Sequence, residues 1–416
     1  MQNWKAINVS NSLVKTMVAT NRYRLLVISP YYMSFAKGLT DAIASYVKKI
    51  DFLIYHNKLL ELSRYMPKLK CISKARHYTI DRLIEQGDRP RNLELHILNG
   101  AFGLFKRNTQ SFANNLSKCI LKLIREENIE FDLVHSHFIW PFGYAGTIIS
   151  KTYDVPLLLT AHGYDIYRLP FLNEKWRYRI VSVLESADHI VTVSDSNARC
   201  LQRLGITKQY SVIPNGYDSA IFYPIDKTDC RNLLGIDQEK KVILSVGVLE
   251  PVKGHKNLIT AIAEISRIRD DILCLIIGRG TLERELRRQI SALGLEDVVK
   301  LIGWKPHPEI PIWLNACDIL ALPSLSEGNP SVIFEALACG KPVVATRVGG
   351  ISEIIIDERY GILCQNNNPN EIKEKLLLSL DKKWDAKEIL EYAKQFSYNM
   401  IATKYIDLIS SMLRKR

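Results

Sequence analysis

Several things are missing from this 416-residue chain, and each absence removes a class of protein. No stretch of roughly 18 residues is free of charged or strongly polar groups, so no helix is expected to span a bilayer. The opening MQNWKAINVSNSLVKTMVAT has no apolar core of the about 7–15 residues that a signal peptide needs ahead of its cleavage site, and the expected location is therefore cytoplasmic. The eight cysteines (Cys71, Cys119, Cys200, Cys230, Cys274, Cys317, Cys339, Cys364) form no Cys-x-x-Cys pair. They read as buried free thiols in a reducing compartment rather than a disulfide framework. Acidic residues are scarce in one half only: residues 1–210 hold 17 Asp and Glu against 29 Lys and Arg, whereas residues 211–416 hold 27 of each. The whole excess of +12 lies in the first half. It suggests an anionic partner there, a membrane surface or a phosphorylated substrate. Nucleic acid is not expected, because Lys48, Lys49, Lys68, Lys70, Lys74, Arg76, Arg89 and Arg91 lie in no recognisable binding motif.

At 47% hydrophobic and 24% charged, what is present is ordinary globular protein, long enough for two to three domains. Short runs of Val, Ile and Leu recur as RLLVIS, DFLIYH, LELHIL, FDLVHSH, PLLLTAHG and HIVTVS, with helix-length amphipathic segments between several of them. The rhythm repeats as KVILSVG, ILCLIIG, VVKLIGW, DILALPS, KPVVATR and GILC. Continuous apolar strands alternating with helices imply parallel sheets covered on both faces, and so two doubly wound α/β units. The expected layout is a Rossmann-like domain over 1–208, a linker over 209–225 marked by Pro214, Asn215-Gly216 and Pro224, a second Rossmann-like domain over 226–392, and a terminal helix over 393–416 that packs back on the first domain. Ligands of such sheets bind beyond the carboxyl ends of the strands, and two crevices facing each other would make a deep cleft.

The residues after the strands therefore carry the information. SLSEGNPS follows one strand and precedes a helix starting near Pro330, so it offers free backbone N–H groups to an anion. Glu327 lies in that turn, and Glu335 lies within the helix among apolar neighbours, FEALACGKPVV. Acids beside an anion site make sense for a ligand carrying both phosphate and hydroxyls, with one Glu on a transferred sugar and the other on a ribose. His135 and His137, at i and i+2, share a strand face, but no third metal ligand follows at suitable spacing, so no metal is expected. IIGRG has a G-x-G turn without the third glycine of a dinucleotide fingerprint. Tyr31, Tyr32 and Phe35, after the first strand, offer aromatic surface for a sugar or lipid, or for the core.

The pattern SxxEGxPxxxxEAxAxGxPVVAT, followed by VGGxxEII, resembles the retaining glycosyltransferases of family 4, and FDLVHSH, LTAHGYD, IVTVSDS, VIPNGYD, VGVLEPVKGHKNLI and IIGRG fall in that family's order. The resemblance implies the GT-B fold: two Rossmann-like domains facing across a cleft, with the donor in the second and the acceptor in the first. It implies a nucleotide-diphosphate sugar as donor, a glycan or polyprenyl-linked acceptor, and retention at the anomeric carbon. Residue by residue it gives Glu335 the donor ribose, Glu327 the transferred sugar, Lys253 the departing diphosphate, and His162 the reacting centre. It sets Gly328, Asn329, Pro330, Ser331, Val332, Gly247, Val248, Gly278 and Arg279 around the donor; His137, Asp165, Tyr31 and Tyr32 are acceptor-side candidates, Asp165 as readily a cap of the following helix, and Tyr31 and Tyr32 standing where many relatives carry paired glycines. No Asp-x-Asp pair occurs, which agrees with charge stabilisation by a cation and a helix end, without a metal cofactor. One departure stands out: relatives carry Arg where this chain has Val248, and an apolar side chain donates nothing to phosphate. Lys256, His255 or Arg279 are candidate substitutes. Two other readings share the fold, a sugar-phosphate synthase and a non-catalytic sugar-nucleotide-binding partner of another transferase.

Overall fold

The alternation of apolar runs and amphipathic segments produces two all-parallel sheets in a computed structural model that describes residues 22–57, 79–80, 83–85, 87–100 and 109–415. Lys68, Lys70, Lys74, Arg76 and Cys71 lie outside the described residues. The chain divides into two units, one of Met1–Thr192, Ala198–Ile213 and Ile401–Arg416, the other of Val193–Asn197 and Pro214–Met400.

The first unit holds β1 (Arg24–Ser29), β2 (Lys49–Asn57), β3 (Leu93–Gly100), β4 (Leu133–His137), β5 (Leu157–Ala161), β6 (His189–Thr192) and β7 (Tyr210–Val212), hydrogen-bonded in the order 3-2-1-4-5-6-7. Strand β7 occupies the start of the stretch read from sequence as linker; it is too short and too exposed for its pattern to announce a strand. Helices α1 (Ser34–Ala44), α2 (Gln110–Glu126), α3 (Tyr144–Tyr153), α4 (Glu174–Ser186) and α5 (Asp195–Leu204) supply crossovers. Their starts are locally encoded: the Thr109 hydroxyl accepts from the Phe112 N–H to cap α2, and the Asn173 side-chain oxygen accepts from the Trp176 N–H to cap α4.

The second unit holds β8 (Lys241–Val246), β9 (Ile272–Ile277), β10 (Val299–Gly303), β11 (Ile319–Leu322), β12 (Val343–Thr346) and β13 (Gly361–Cys364), in the order 10-9-8-11-12-13. The helices that matter below are α6 (His255–Ile265), α7 (Glu283–Ala292) and α8 (Ser331–Ala338). The last helix, α9 (Tyr398–Arg414), starts in the second unit, and its residues from Ile401 onward belong to the first.

Both units use one device to fix the register of their central strands. Asp132, just before β4, accepts from the Arg24 backbone N–H at 2.7 Å and its Oδ1 pairs with the Arg24 guanidinium at 2.7 Å. Asp318, just before β11, accepts from the Val242 N–H at 2.7 Å and pairs with Arg231 at 2.9 Å. Arg231 is buried, and two of its remaining donors go to the carbonyls of Ala316 and Gln238. The charge is thereby satisfied, as burial demands. These ties sit at the amino ends of the strands and leave the carboxyl ends for chemistry.

Candidate active site

In each unit the strand order reverses between the first and fourth strands, and such switch points are where open α/β sheets bind ligands. The second unit's switch point lies between β8 and β11. Lys253 lies in the turn leaving β8, and Glu327 in the turn leaving β11. The Leu325 N–H donates to the Val252 carbonyl at 2.7 Å, which sews the two turns together. Gly254 permits the approach: its φ is +65°, and a Cβ there would stand 2.0 Å from the Pro323 carbonyl oxygen. Lys253 Nζ is then 2.6 Å from Glu327 Oε1, and both side chains are largely buried. The Ser324 hydroxyl donates to the same oxygen at 2.6 Å, and the Thr346 hydroxyl at the end of β12 donates to the Ser324 carbonyl. The carboxylate is therefore aimed by a chain of bonds from two strand ends.

Helix α8 begins immediately beyond. Pro330 takes the N-cap position and no side chain caps the helix, so the first-turn N–H groups of Ser331 and Val332 have no partner within it. Asn329 is buried and occupied structurally, its side-chain oxygen accepting from the Asn215 N–H at 2.7 Å. Gly328 offers its carbonyl to the Gly350 N–H at 3.0 Å. One and a half turns along, Glu335 is 6% exposed, and its Oε1 accepts from His307 Nε2 at 3.0 Å. His307 is a functional candidate that sequence reasoning missed; the WKPHPEI loop carries no pattern that pairs it with a residue 28 positions away.

The remaining donor-side residues line the neighbouring turns. The N–H groups of Gly247 and Gly278 are spent on the carbonyls of Ile277 and Gly303, each at 2.9 Å. Val248 is half-exposed and presents only its methyl groups. Of its suggested substitutes, Lys256 is paired with Glu285, and burial pushes the His255 imidazole down to about 4, so it is neutral at physiological pH. Arg279 lies beside Val248, its carbonyl accepting from the Leu249 N–H at 2.9 Å, and its guanidinium rests 4.9 Å from the Trp304 ring centre.

The first unit gathers a different chemistry at β4 and β5. His137 Nδ1 and His162 Nε2 are 2.9 Å apart, so one ring donates to the other. His135 Nε2 lies 2.9 Å from the Thr160 hydroxyl, which also meets the Tyr405 hydroxyl of α9 at 3.4 Å. Phe35 and Phe138 cover the His162 ring at centroid distances of 4.3 and 4.7 Å. Burial pushes His137 down to about 3 and holds His135 and His162 well below the usual histidine range. All three are neutral imidazoles. His137 Nε2 and His162 Nδ1 are buried without a partner among the described residues. Asp165 faces the backbone rather than a ring: it accepts from the N–H groups of Ile139 at 3.0 Å, His162 at 3.2 Å and Gly163 at 2.8 Å. It fixes the path of the His162 turn. Tyr31 packs edge-on against Phe35 and Phe138, whereas Tyr32 is fully buried with its hydroxyl bonded to Asp41, a packing role that leaves no surface for an acceptor.

Among the described residues one grouping has metal-ligand chemistry, Asp51, Glu94 and His96. Lys49 Nζ already lies 2.9 Å from both Asp51 and Glu94, and the His96 ring bridges Asp51 and Glu127. The acids are matched by the protein's own cations. No helix among the described residues is long and apolar enough to cross a membrane.

Two doubly wound parallel sheets, one in each unit, are the architecture of the GT-B fold. Residues 226–398 match the family described as glycosyl transferases group 1, and residues 73–220 match glycosyltransferase family 4. An uncharacterized glycosyltransferase of Methanocaldococcus jannaschii is 33% identical over 287 residues, which cover 69% of this chain and 76% of that one. A D-inositol 3-phosphate glycosyltransferase of Pseudarthrobacter chlorophenolicus is 32% identical over 259 residues, covering 59% of this chain and 61% of its own length. Among solved structures, Anabaena HepE in complex with UDP-glucose superposes with a TM-score of 0.71 at 20% identity, over 94% of this chain and all of that one. The chain belongs to the group 1 glycosyltransferases.

Proposed function

We propose that the protein is a retaining, metal-independent transferase that moves a sugar from a nucleotide-diphosphate sugar to a glycan or polyprenyl-linked acceptor in cell-surface polysaccharide or glycolipid synthesis. The observation that carries this is the Lys253–Glu327 pair, 2.6 Å apart beside the uncapped start of α8. A donor exchanges one pair for two: the diphosphate takes the ammonium and the helix N–H groups, and sugar hydroxyls donate to the carboxylate. Glu335 takes the ribose hydroxyls. As the anomeric C–O bond breaks, the diphosphate oxygen that keeps the electron pair accepts the acceptor's hydroxyl proton, and the new C–O bond forms on the same face. No divalent ion is needed if Lys253 and the helix end carry the developing charge. His162, a neutral ring oriented by His137, suits hydrogen bonding to an uncharged hydroxyl. The basic excess of the first half suits work at an anionic membrane surface.

The test is thermal stabilisation and product release with UDP-, GDP- and ADP-sugars, with magnesium and with chelator, for wild type and Glu335→Ala. One nucleotide series should stabilise the wild type, fail on the variant, and release sugar slowly in chelator. Stabilisation by none of them, with the protein folded, would refute the donor-site assignment.

A further inference from the structure

The buried carboxylate of Glu335 poses a problem that its own helix does not solve. From Ile333 to Ala338 every side chain of α8 is buried, and all but Glu335 are apolar. An isolated carboxylate in such a place is costly, and the ordinary remedy is a Lys or Arg partner. Glu335 has neither among the described residues; its one partner there is His307, through Nε2 at 3.0 Å. His307 is itself held. Pro306 and Pro308 restrict the backbone on both sides, and the buried ring of Phe222 lies 5.1 Å from the imidazole. Glu335 Oε2 makes no bond among the described residues and is not sealed from solvent.

We infer that His307 is the positioning residue of the donor site: it fixes Glu335 by one oxygen so that the carboxylate meets the paired hydroxyls of the donor ribose. The inference rests on the proposed role of Glu335. The choice of imidazole has a chemical reason. A lysine would form an ion pair like that of Lys253 with Glu327, which a ligand would have to break. A single ring N–H orients the carboxylate and leaves it strong as an acceptor, so the ribose binds without displacing anything. His307 touches no reacting atom in this scheme, and its loss should change donor affinity rather than the chemical step.

The experiment measures binding of UDP against 2′-deoxy-UDP, and of GDP against 2′-deoxy-GDP, to wild type, Glu335→Ala, His307→Ala, His307→Gln and His307→Asn, with steady-state kinetics in parallel. The wild type should prefer the ribonucleotide of one base by about tenfold or more, the worth of a charge-assisted hydrogen bond. Both Glu335→Ala and His307→Ala should reduce that preference to within about threefold of unity. Affinity for the deoxy form, which keeps its 3′-hydroxyl, should fall less than affinity for the ribonucleotide, and donor KM should rise while kcat holds. Gln, whose side-chain amide reaches where Nε2 stands, should restore the preference; the shorter Asn should not. A preference lost in Glu335→Ala but kept in His307→Ala overturns this inference alone. A preference that survives Glu335→Ala, or is absent from the wild type with both bases, overturns the ribose assignment and the inference with it.

Discussion

The two units share a strand order through their first six strands and share the aspartate tie at the amino ends of their central strands, yet their carboxyl ends are chemical opposites. At the exits of β8 and β11 stand full charges in contact, Lys253 and Glu327. At the exits of β4 and β5 stand His137, buried, and His162, half-buried, both neutral and flanked by aromatic rings. On the proposed function, a common scaffold separates two tasks. Handling a diphosphate requires charge; holding an uncharged hydroxyl requires oriented, uncharged donors and acceptors that bind no competing ion. The fold supplies the positions, and the residues one step past each strand supply the function.

The contrast predicts where charge matters most. Lys253→Ala should lower kcat/KM by about 10²–10³, the cost of removing one preorganised stabiliser of developing charge, and should leave the largely buried Glu327 side chain with only the Ser324 hydroxyl as partner among the described residues. Steady-state kinetics at low and high salt check this. The double variant Lys253→Ala/Glu327→Gln should recover donor binding without recovering turnover. Equal losses from Lys253→Ala and His162→Ala, with the same salt dependence, would erase the distinction between the two exits. A smaller effect is expected one shell out. Gly349 has φ of +53°, and a Cβ there would sit 1.8 Å from the Glu327 carbonyl oxygen, so Gly349→Ala must push the Glu327 turn aside. About 2–3 kcal/mol of stability should be lost, and donor KM should rise. Calorimetry should place the loss in the second unit's transition; an unchanged melting temperature and KM would mean that the turn yields freely.

Much of this was legible in the sequence, for a specific reason. Parallel strands covered on both faces are continuous apolar runs, so FDLVHSH and DILALPS announce β4 and β11 and leave their last residues as site candidates. Glu327, Glu335 and Lys253 could be named because motif and strand exit coincide. What sequence does not carry is pairing over distance. Nothing in FEALACG shows that Glu335 meets His307, or that Asp165 spends its oxygens on three backbone N–H groups. Tyr31 and Tyr32 look alike in sequence, and only packing decides that Tyr32 turns inward to Asp41. Strand β7 escaped notice because an edge strand of three partly exposed residues has no period to read.

The neutral histidines also tie the comparison to pH. His135, His137, His162 and His189 in the first unit and His255 in the second have folded-state values pushed below the ordinary histidine range, chiefly by burial. Such groups contribute stability that is fully present above the unfolded value, about 6.5, and is lost as pH falls toward the folded value, because the unfolded chain then binds protons that the folded chain refuses. Each costs about 1.4 kcal/mol per pH unit below that point. His96 in the first unit works the other way: the Asp51 and Glu127 carboxylates on either side outweigh its burial and raise it, so it stabilises on the acid side. Four depressed histidines against one raised leave the first unit more acid-sensitive than the second, where His255 is the one depressed histidine among the described residues. Scanning calorimetry from pH 7.5 to 5 should show two transitions moving apart, the first unit's falling faster. His135→Gln, whose amide can keep the bond to Thr160 without titrating, should reduce that slope by about a quarter. Transitions that move in parallel would mean that the imidazoles of the first unit accept protons in place, and that its strand exits are not the uncharged counterpart of the second unit's ion pair.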